Sequence, residues 1–146
     1  YQAVICNLDE NDAVIKSAAV ADYKPKTYSD NKIKKKDGDL VIELDRNKDI
    51  AYEIGKIKND KILVGFAAET NDIIENAKAK IAKKNMDFIV ANNLKESGAG
   101  FGTDTNIVSI IEKDGSMKEY PMMTKEEVAS VILDKIKTLL DNKSSL

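Results

Sequence analysis

The sequence contains no histidine, no tryptophan, one cysteine and two prolines. Without histidine, Ser-His-Asp and Cys-His nucleophilic catalysis are excluded. With only Cys6 beside that gap, zinc sites of the usual Cys/His kind are excluded too. One cysteine closes no disulfide within the chain, and a reducing, cytoplasmic compartment fits. Cys6 follows the apolar pair Val4-Ile5 in a helical pattern, which predicts a buried structural thiol. No apolar run approaches the ~18 residues that would span a membrane. No signal-peptide pattern opens the chain. Aromatic residues make up only 5% and the isoelectric point is about 5.3, which argues against a nucleic-acid binder. Chemistry is left to lysine, aspartate, glutamate, asparagine, hydroxyls and backbone amides.

What remains is an ordinary globular balance. The 146 residues are 42% hydrophobic and 33% charged, enough for one domain with a proper core. The opening "YQAVICNLDEN" lacks Met and reads as the middle of a helix, so a fragment missing its upstream part is expected. The net charge is -2, yet Lys32, Lys34, Lys35 and Lys36 fall within five residues and run into Asp37-Gly38.

Along the chain, Asp12–Ala21 is short, apolar and strand-like. "KIKKKDGDLVIEL" reads as a hairpin, because Asp-Gly between extended runs favours a two-residue turn. "NKDIAYEIGKIK" has helical spacing, with Ile50, Ile54 and Ile57 on one side and Asn47 as its expected N-cap. "KILVGFAAE" and "MDFIVANN" read as buried strands. Between them "TNDIIENAKAKIAKK" is a helix with Ile73, Ile74, Ala77 and Ile81 as its stripe. A Gly-rich loop, "ESGAGFGTDTN", leads to the strand "IVSIIEK", and Asp114-Gly115 turns the chain into "SMKEYPMM". The last helix, about 124–142, opens on a Thr124/Glu127 capping box and turns Val128, Val131, Ile132, Ile136, Leu139 and Leu140 to the core.

Alternating strands and helices predict an α/β fold, a mostly parallel sheet with helices on both faces and an antiparallel addition. In such sheets a ligand sits beyond the carboxyl ends of the strands. "SAAVAD", "GFAAET" and "VANN" end three strands in small or polar residues, offering Asp22, Glu69 and Asn92 there.

The motifs "AAVADYKP" (18–25), "KIKK" (32–35), "NKDI" (47–50), "GFAAET" (65–70), "KIAKKNMDFIVAN" (80–92) and "FGTDTN" (101–106), in this order, resemble phosphopantothenate–cysteine ligase of coenzyme A biosynthesis. The "GFAAET" form looks like the bacterial, CTP-dependent type. The resemblance implies a Rossmann-like single domain over 1–146, with a protruding β-hairpin flap at about 22–45 and commonly a homodimer. It implies that the carboxylate of 4′-phosphopantothenate attacks the α-phosphate of CTP and releases pyrophosphate. The cysteine amine then attacks the acyl-cytidylate and releases CMP. Many bacteria fuse this unit behind a flavin-dependent decarboxylase. Nothing here matches that half, so no FMN is expected.

The family's opening strand, Gly-rich turn and catalytic asparagine are not in this chain, so it resembles the carboxy-terminal part of the ligase. "GAGFG" precedes a strand, unlike a phosphate cradle. Lys48 stands where many members have proline.

By the resemblance Lys32 is the catalytic flap lysine, whose charge would stabilise the transferring phosphorus. Lysines on a hairpin also simply deter edge pairing. Lys80 and Lys84 would hold the nucleotide, and at i, i+4 they share a helix face, which is also how an exposed basic stripe reads. Asp22 would contact the nucleotide, through Mg²⁺, or else cap a turn. Ser17 and Ala18 would approach it by backbone. Lys48, Asp49, Ile50 and Ala51 open a helix whose amide groups suit an anion. Phe66 would lie against the nucleotide or in the core. The alternatives are an inactive nucleotide-binding or dimerisation fragment of the same ligase, or a nucleotide-binding module of another class. The last lacks its Gly-rich fingerprint here.

Overall fold

A computed structural model describes residues 1–34, 38–69, 73–93 and 103–144. The elements run α1 (Gln2–Asn7), β1 (Ala13–Lys16), β2 (Tyr23–Pro25), β3 (Leu44–Arg46), α2 (Ile50–Ile57), β4 (Ile62–Glu69), α3 (Ile73–Lys84), β5 (Phe88–Asn93), β6 (Thr105–Asn106), β7 (Val108–Glu112), β8 (Met117–Glu119), β9 (Met123–Thr124) and α4 (Lys125–Ser144). They form two units: Tyr1–Ser17 with Ile50–Leu146, and Ala18–Asp49.

The larger unit is an α/β sheet of five strands in the order β1-β4-β5-β7-β8. β1, β4 and β5 are parallel, in registers such as Ile15 with Val64 and Val90 with Phe66. β7 and β8 are the antiparallel addition. The period of two along each central strand divides the core between the two sheet faces. Leu63, Ala67, Ile89 and Ala91 join Ala51 and Ile54 of α2, Ala77 and Ile81 of α3, and Leu8 after α1. Ile62, Val64, Phe88, Val90, Val108 and Ile110 face Val128, Ile132 and Ile136 of α4. Strands buried on both faces read as continuous apolar runs, which is what "KILVGFAAE" and "MDFIVANN" show.

Local chemistry sets the ends. Thr124 and Glu127 form the reciprocal cap: Glu127 Oε2 accepts Thr124 N–H at 2.7 Å, and Glu127 N–H donates to Thr124 Oγ1 at 3.2 Å. α3 ends at Asn85, whose φ of 49° lets Met86 N–H reach back to the Ile81 carbonyl at 3.1 Å. Gly115, at φ 85°, makes the β7–β8 turn with Ser116 N–H donating to Asp114 Oδ1 at 2.8 Å.

The smaller unit is an arm without a core: nearly every described residue in it is exposed. Its ladder joins Tyr23–Pro25 to Leu44–Arg46. Arg46 Nη2 donates to Tyr23 Oη at 3.0 Å, and Lys26 pairs with Glu43 at 3.2 Å. The Asp-Gly hairpin read from the sequence differs. Lys32–Lys34 and Gly38–Glu43 carry no strand, and Lys35, Lys36 and Asp37 lie outside the described residues. A strand whose two faces are both in water has nothing to set its register.

Three further expectations are corrected. Cys6 is exposed, because α1 turns Val4 and Ile5 to the core and Cys6 to the other side. Asn47 does not open α2; its N–H donates to the Asp22 carbonyl and its Nδ2 to the Ala21 carbonyl, both at 2.8 Å, closing the base of the arm. Ile57, expected on the apolar side of α2, is 48% exposed.

Candidate functional site

α2 and α3 both return from the carboxyl end of one parallel strand to the amino end of the next, so they run side by side in one direction. Their contact is Gly55 against the Lys84 carbonyl, where a side-chain carbon on residue 55 would collide with that oxygen. Asn85 Nδ2 donates to the Gly55 carbonyl at 2.9 Å and fixes the pair. One turn back along each helix, about 6 Å, Lys80 comes level with Ala51. Lys80 is half-buried, and the same step back from Gly55 along α2 reaches its first turn, Ile50 and Ala51. That turn carries backbone N–H groups without intrahelical partners. Lys84, also half-buried, stands one turn nearer the amino ends of the strands.

Other expected residues are distributed differently. Ser17 is exposed just beyond the carboxyl end of β1. Phe66 is half-buried and packs into the cluster under α4, on the sheet face opposite α3. The structure thus separates Phe66 from Lys80 and Lys84 by the thickness of the sheet. Ala18, Asp22, Lys32, Lys48 and Asp49 belong to the arm unit and are all exposed. The Gly-rich loop lies outside the described residues up to Gly102.

Asp22 is an exposed carboxylate. Among the described residues no three His, Cys, Asp or Glu side chains stand close enough to hold a metal ion. A divalent cation would have to take most of its ligands from substrate phosphates, as Mg²⁺ commonly does. A cleft lined by Asp9, Asp12, Asn59, Asp60, Lys61 and Lys143 opens at the amino ends of β1 and β4. That is the wrong end of a parallel sheet for a ligand. Its lysines are committed to the backbone: Lys61 Nζ donates to the Asn11 carbonyl at 2.8 Å and Lys143 Nζ to the Asp60 carbonyl at 2.7 Å.

Two polar arrangements were not legible in the sequence. Asn106, 8% exposed, donates from Nδ2 to Asn92 Oδ1 at 3.0 Å. Lys58 is buried against Asp87 at 2.6 Å, and Asp87 Oδ2 also accepts Leu63 N–H at 2.7 Å. Burial pushes the Lys58 ammonium below its usual range, only partly opposed by Asp87. Burial pushes Asp87 up, but the hydrogen bonds from Lys58 and Leu63 and the charges of Lys58 and Lys113 outweigh it, so its carboxyl sits below the usual range. The only sequence signal for either pair was placement, a polar residue where a strand begins or ends.

Among known proteins, the coenzyme A biosynthesis bifunctional protein CoaBC of Bacillus subtilis (strain 168) is 54% identical over 138 residues, which is 94% of this chain and 34% of that protein. A protein named cysteine/cysteine sulfinic acid decarboxylase, from an unknown prokaryotic organism, is 50% identical over 132 residues, 90% of this chain and 37% of that protein. The chain thus spans about a third of the curated relatives it matches. The crystal structure of the C-terminal domain of CoaBC superposes with a TM-score of 0.75 at 44% identity, covering 97% of this chain and 63% of that one. Residues 1–140 match the family described as the DNA/pantothenate metabolism flavoprotein C-terminal domain, and the chain belongs to that family.

Proposed function

We propose that the protein containing this chain joins 4′-phosphopantothenate to L-cysteine at the expense of CTP, through an acyl-cytidylate, in coenzyme A biosynthesis. The observation that carries this reading is the family match over residues 1–140, supported by Lys80 standing on a helix that meets α2 at Gly55 and Lys84. A lysine beside helix-start amides is a place for a polyanion: the ammonium supplies full charge and the amides supply aimed donors. In this reading Lys80 and Lys84 hold the triphosphate. Ser17, Ala18, Lys48, Asp49, Ile50 and Ala51 approach the nucleotide largely by backbone, and Phe66, on the other sheet face from Lys80 and Lys84, takes no part in holding the triphosphate. Lys32 neutralises the charge that develops on phosphorus, and Asp22 shares Mg²⁺ with the phosphates. CTP is a substrate here, consumed to CMP and pyrophosphate. A cytoplasmic homodimer, fused to or working beside a decarboxylase, completes the proposal.

The test is pyrophosphate release by the full-length protein given CTP, Mg²⁺ and 4′-phosphopantothenate, before cysteine is added. Release that needs all three is expected. Equal release without the pantothenate compound would reject the reading. Carbon dioxide release from a cysteine-type acid without pyrophosphate would replace it with the chemistry named for the decarboxylase relative. Calorimetric titration of this chain alone with CTP then separates a nucleotide-binding segment from an inert one.

A further inference from the structure

The carboxamides of Asn92 and Asn106 form a chain whose direction is set by the backbone. Ile107 N–H can only donate, and it donates to Asn106 Oδ1 at 2.9 Å. Asn106 must therefore present its NH₂ on the other side, where it donates to Asn92 Oδ1 at 3.0 Å. This uses the oxygen of Asn92 and leaves its NH₂, which finds no acceptor among the described residues. Asn106 is buried and pinned by the β6–β9 ladder opposite Met123, so it has little freedom to turn.

The position of Asn92 gives this polarity a use. Asn92 stands near the carboxyl end of β5, in register with Ala68 and Val108. Its side chain shares a face with Val90 and Phe88, the face that Phe66 also occupies opposite Val90. The NH₂ thus lies one pleat beyond Phe66, at the end of the sheet where α/β folds take their ligands.

We propose that Asn106 is a positioning residue: it holds Asn92 in one amide orientation and so makes Asn92 a dedicated hydrogen-bond donor to an acceptor oxygen of a bound substrate. This rests on the ligase reading above. The acceptor is either a carboxylate oxygen of 4′-phosphopantothenate or the carbonyl oxygen of the cytosine ring.

Asn106→Asp in the full-length protein inverts the lock with little change of shape. The new carboxylate still accepts Ile107 N–H but has no hydrogen for Asn92. Asn92 then turns to donate to it and shows its own oxygen to the substrate. The KM for one substrate is expected to rise roughly tenfold, with the other KM and the melting temperature close to wild type. The substrate affected identifies the acceptor. Asn92→Asp, which keeps the Asn106 bond and removes the NH₂, should raise the same KM. Unchanged KM values in folded Asn92→Asp would overturn the proposal. So would a joint rise of both KM values tracking a fall in melting temperature. If the wild-type protein releases no pyrophosphate, the ligase reading fails, and the lock is read by NMR of the Asn92 side-chain amide. Without any ligand, that resonance should differ between wild type and Asn106→Asp, because its acceptor changes; an unchanged resonance overturns the lock itself.

Discussion

Lys58 and Asp87 form an ion pair of 2.6 Å with only 4% and 11% of their side chains exposed. The pair ties the end of α2 to the entry of β5. Lys58 Nζ also donates to the Lys61 carbonyl at 2.9 Å, and Asp87 N–H donates to the Leu63 carbonyl at 2.8 Å. Two adjacent crossovers are clamped by one pair of charges.

Asp87→Ala should therefore destabilise the chain by about 3–5 kcal/mol, because it strands a buried ammonium and an N–H group. The pH dependence follows from the directions of the shifts. Asp87 binds its proton less readily folded than unfolded, so its contribution is complete above the ordinary aspartate range and is lost as pH falls through its lowered folded value. Lys58 is shifted down, so its cost persists at neutral pH and is relieved only as pH rises from its folded value towards the usual lysine range. Urea midpoints against pH should show a shallower acid limb in Asp87→Asn. An unchanged limb would mean that another carboxylate governs acid unfolding.

Gly55→Ala sets two effects against each other. Alanine gains up to ~1 kcal/mol of helix propensity over glycine. The added carbon, however, collides with the Lys84 carbonyl, a backbone atom that cannot rotate aside. Overpacking of this kind costs about 1–3 kcal/mol, so a net loss of about 1–2 kcal/mol is expected in a thermal melt. The helices must part, so on the ligase reading CTP affinity should weaken more than stability alone explains. A stabilised variant would show that the helices slide freely.

These cases show what was legible in the sequence. Continuous apolar runs gave β4 and β5, and the reciprocal Thr124/Glu127 pattern gave the start of α4, because local rules decide both. The arm was misread only beside its turn: residues 32–34 and 38–43 are exposed and carry no strand, because no buried face holds them, while Asp37 lies outside the described residues. Cys6 was misread because a six-residue helix has room for only one apolar face, which Val4 and Ile5 fill. The level of Lys80 with Ala51 depends on Gly55 meeting Lys84 across 29 residues, a register no single motif contains. The Asn92–Asn106 chain depends on a strand end and a later ladder meeting. Such pairings are set by topology, and sequence spacing does not reveal them.

Thr124→Ala removes the hydroxyl that caps α4 while leaving the chain's other contacts in place. A loss of about 1 kcal/mol is expected, and the melting temperature should fall accordingly. The Glu127 carboxyl is held below its usual range by the backbone and side-chain hydrogen bonds from Thr124. Its share of stability is therefore present above that range and lost as pH falls through the lowered value. In Thr124→Ala the side-chain bond is gone, so NMR titration should show the Glu127 carboxyl moving back up. A carboxyl that stayed low would mean that the backbone N–H alone holds it.

Lys32 and Lys80 should fail differently when shortened. If Lys32 meets charge that develops only during phosphoryl transfer, Lys32→Ala lowers kcat and kcat/KM together, by roughly 10²–10³-fold. If Lys80 holds the phosphates before and during reaction alike, Lys80→Ala raises the KM for CTP and leaves kcat near wild type, because uniform binding is lost. A lysine–phosphate contact is charge-assisted, so a KM change of roughly tenfold is expected, shrinking as salt is added. If the residues act on different stages, the two losses should multiply in the double variant. Steady-state kinetics with CTP varied at saturating 4′-phosphopantothenate reads both. The division of labour would be refuted if Lys32→Ala changed only the KM for CTP while Lys80→Ala cut kcat.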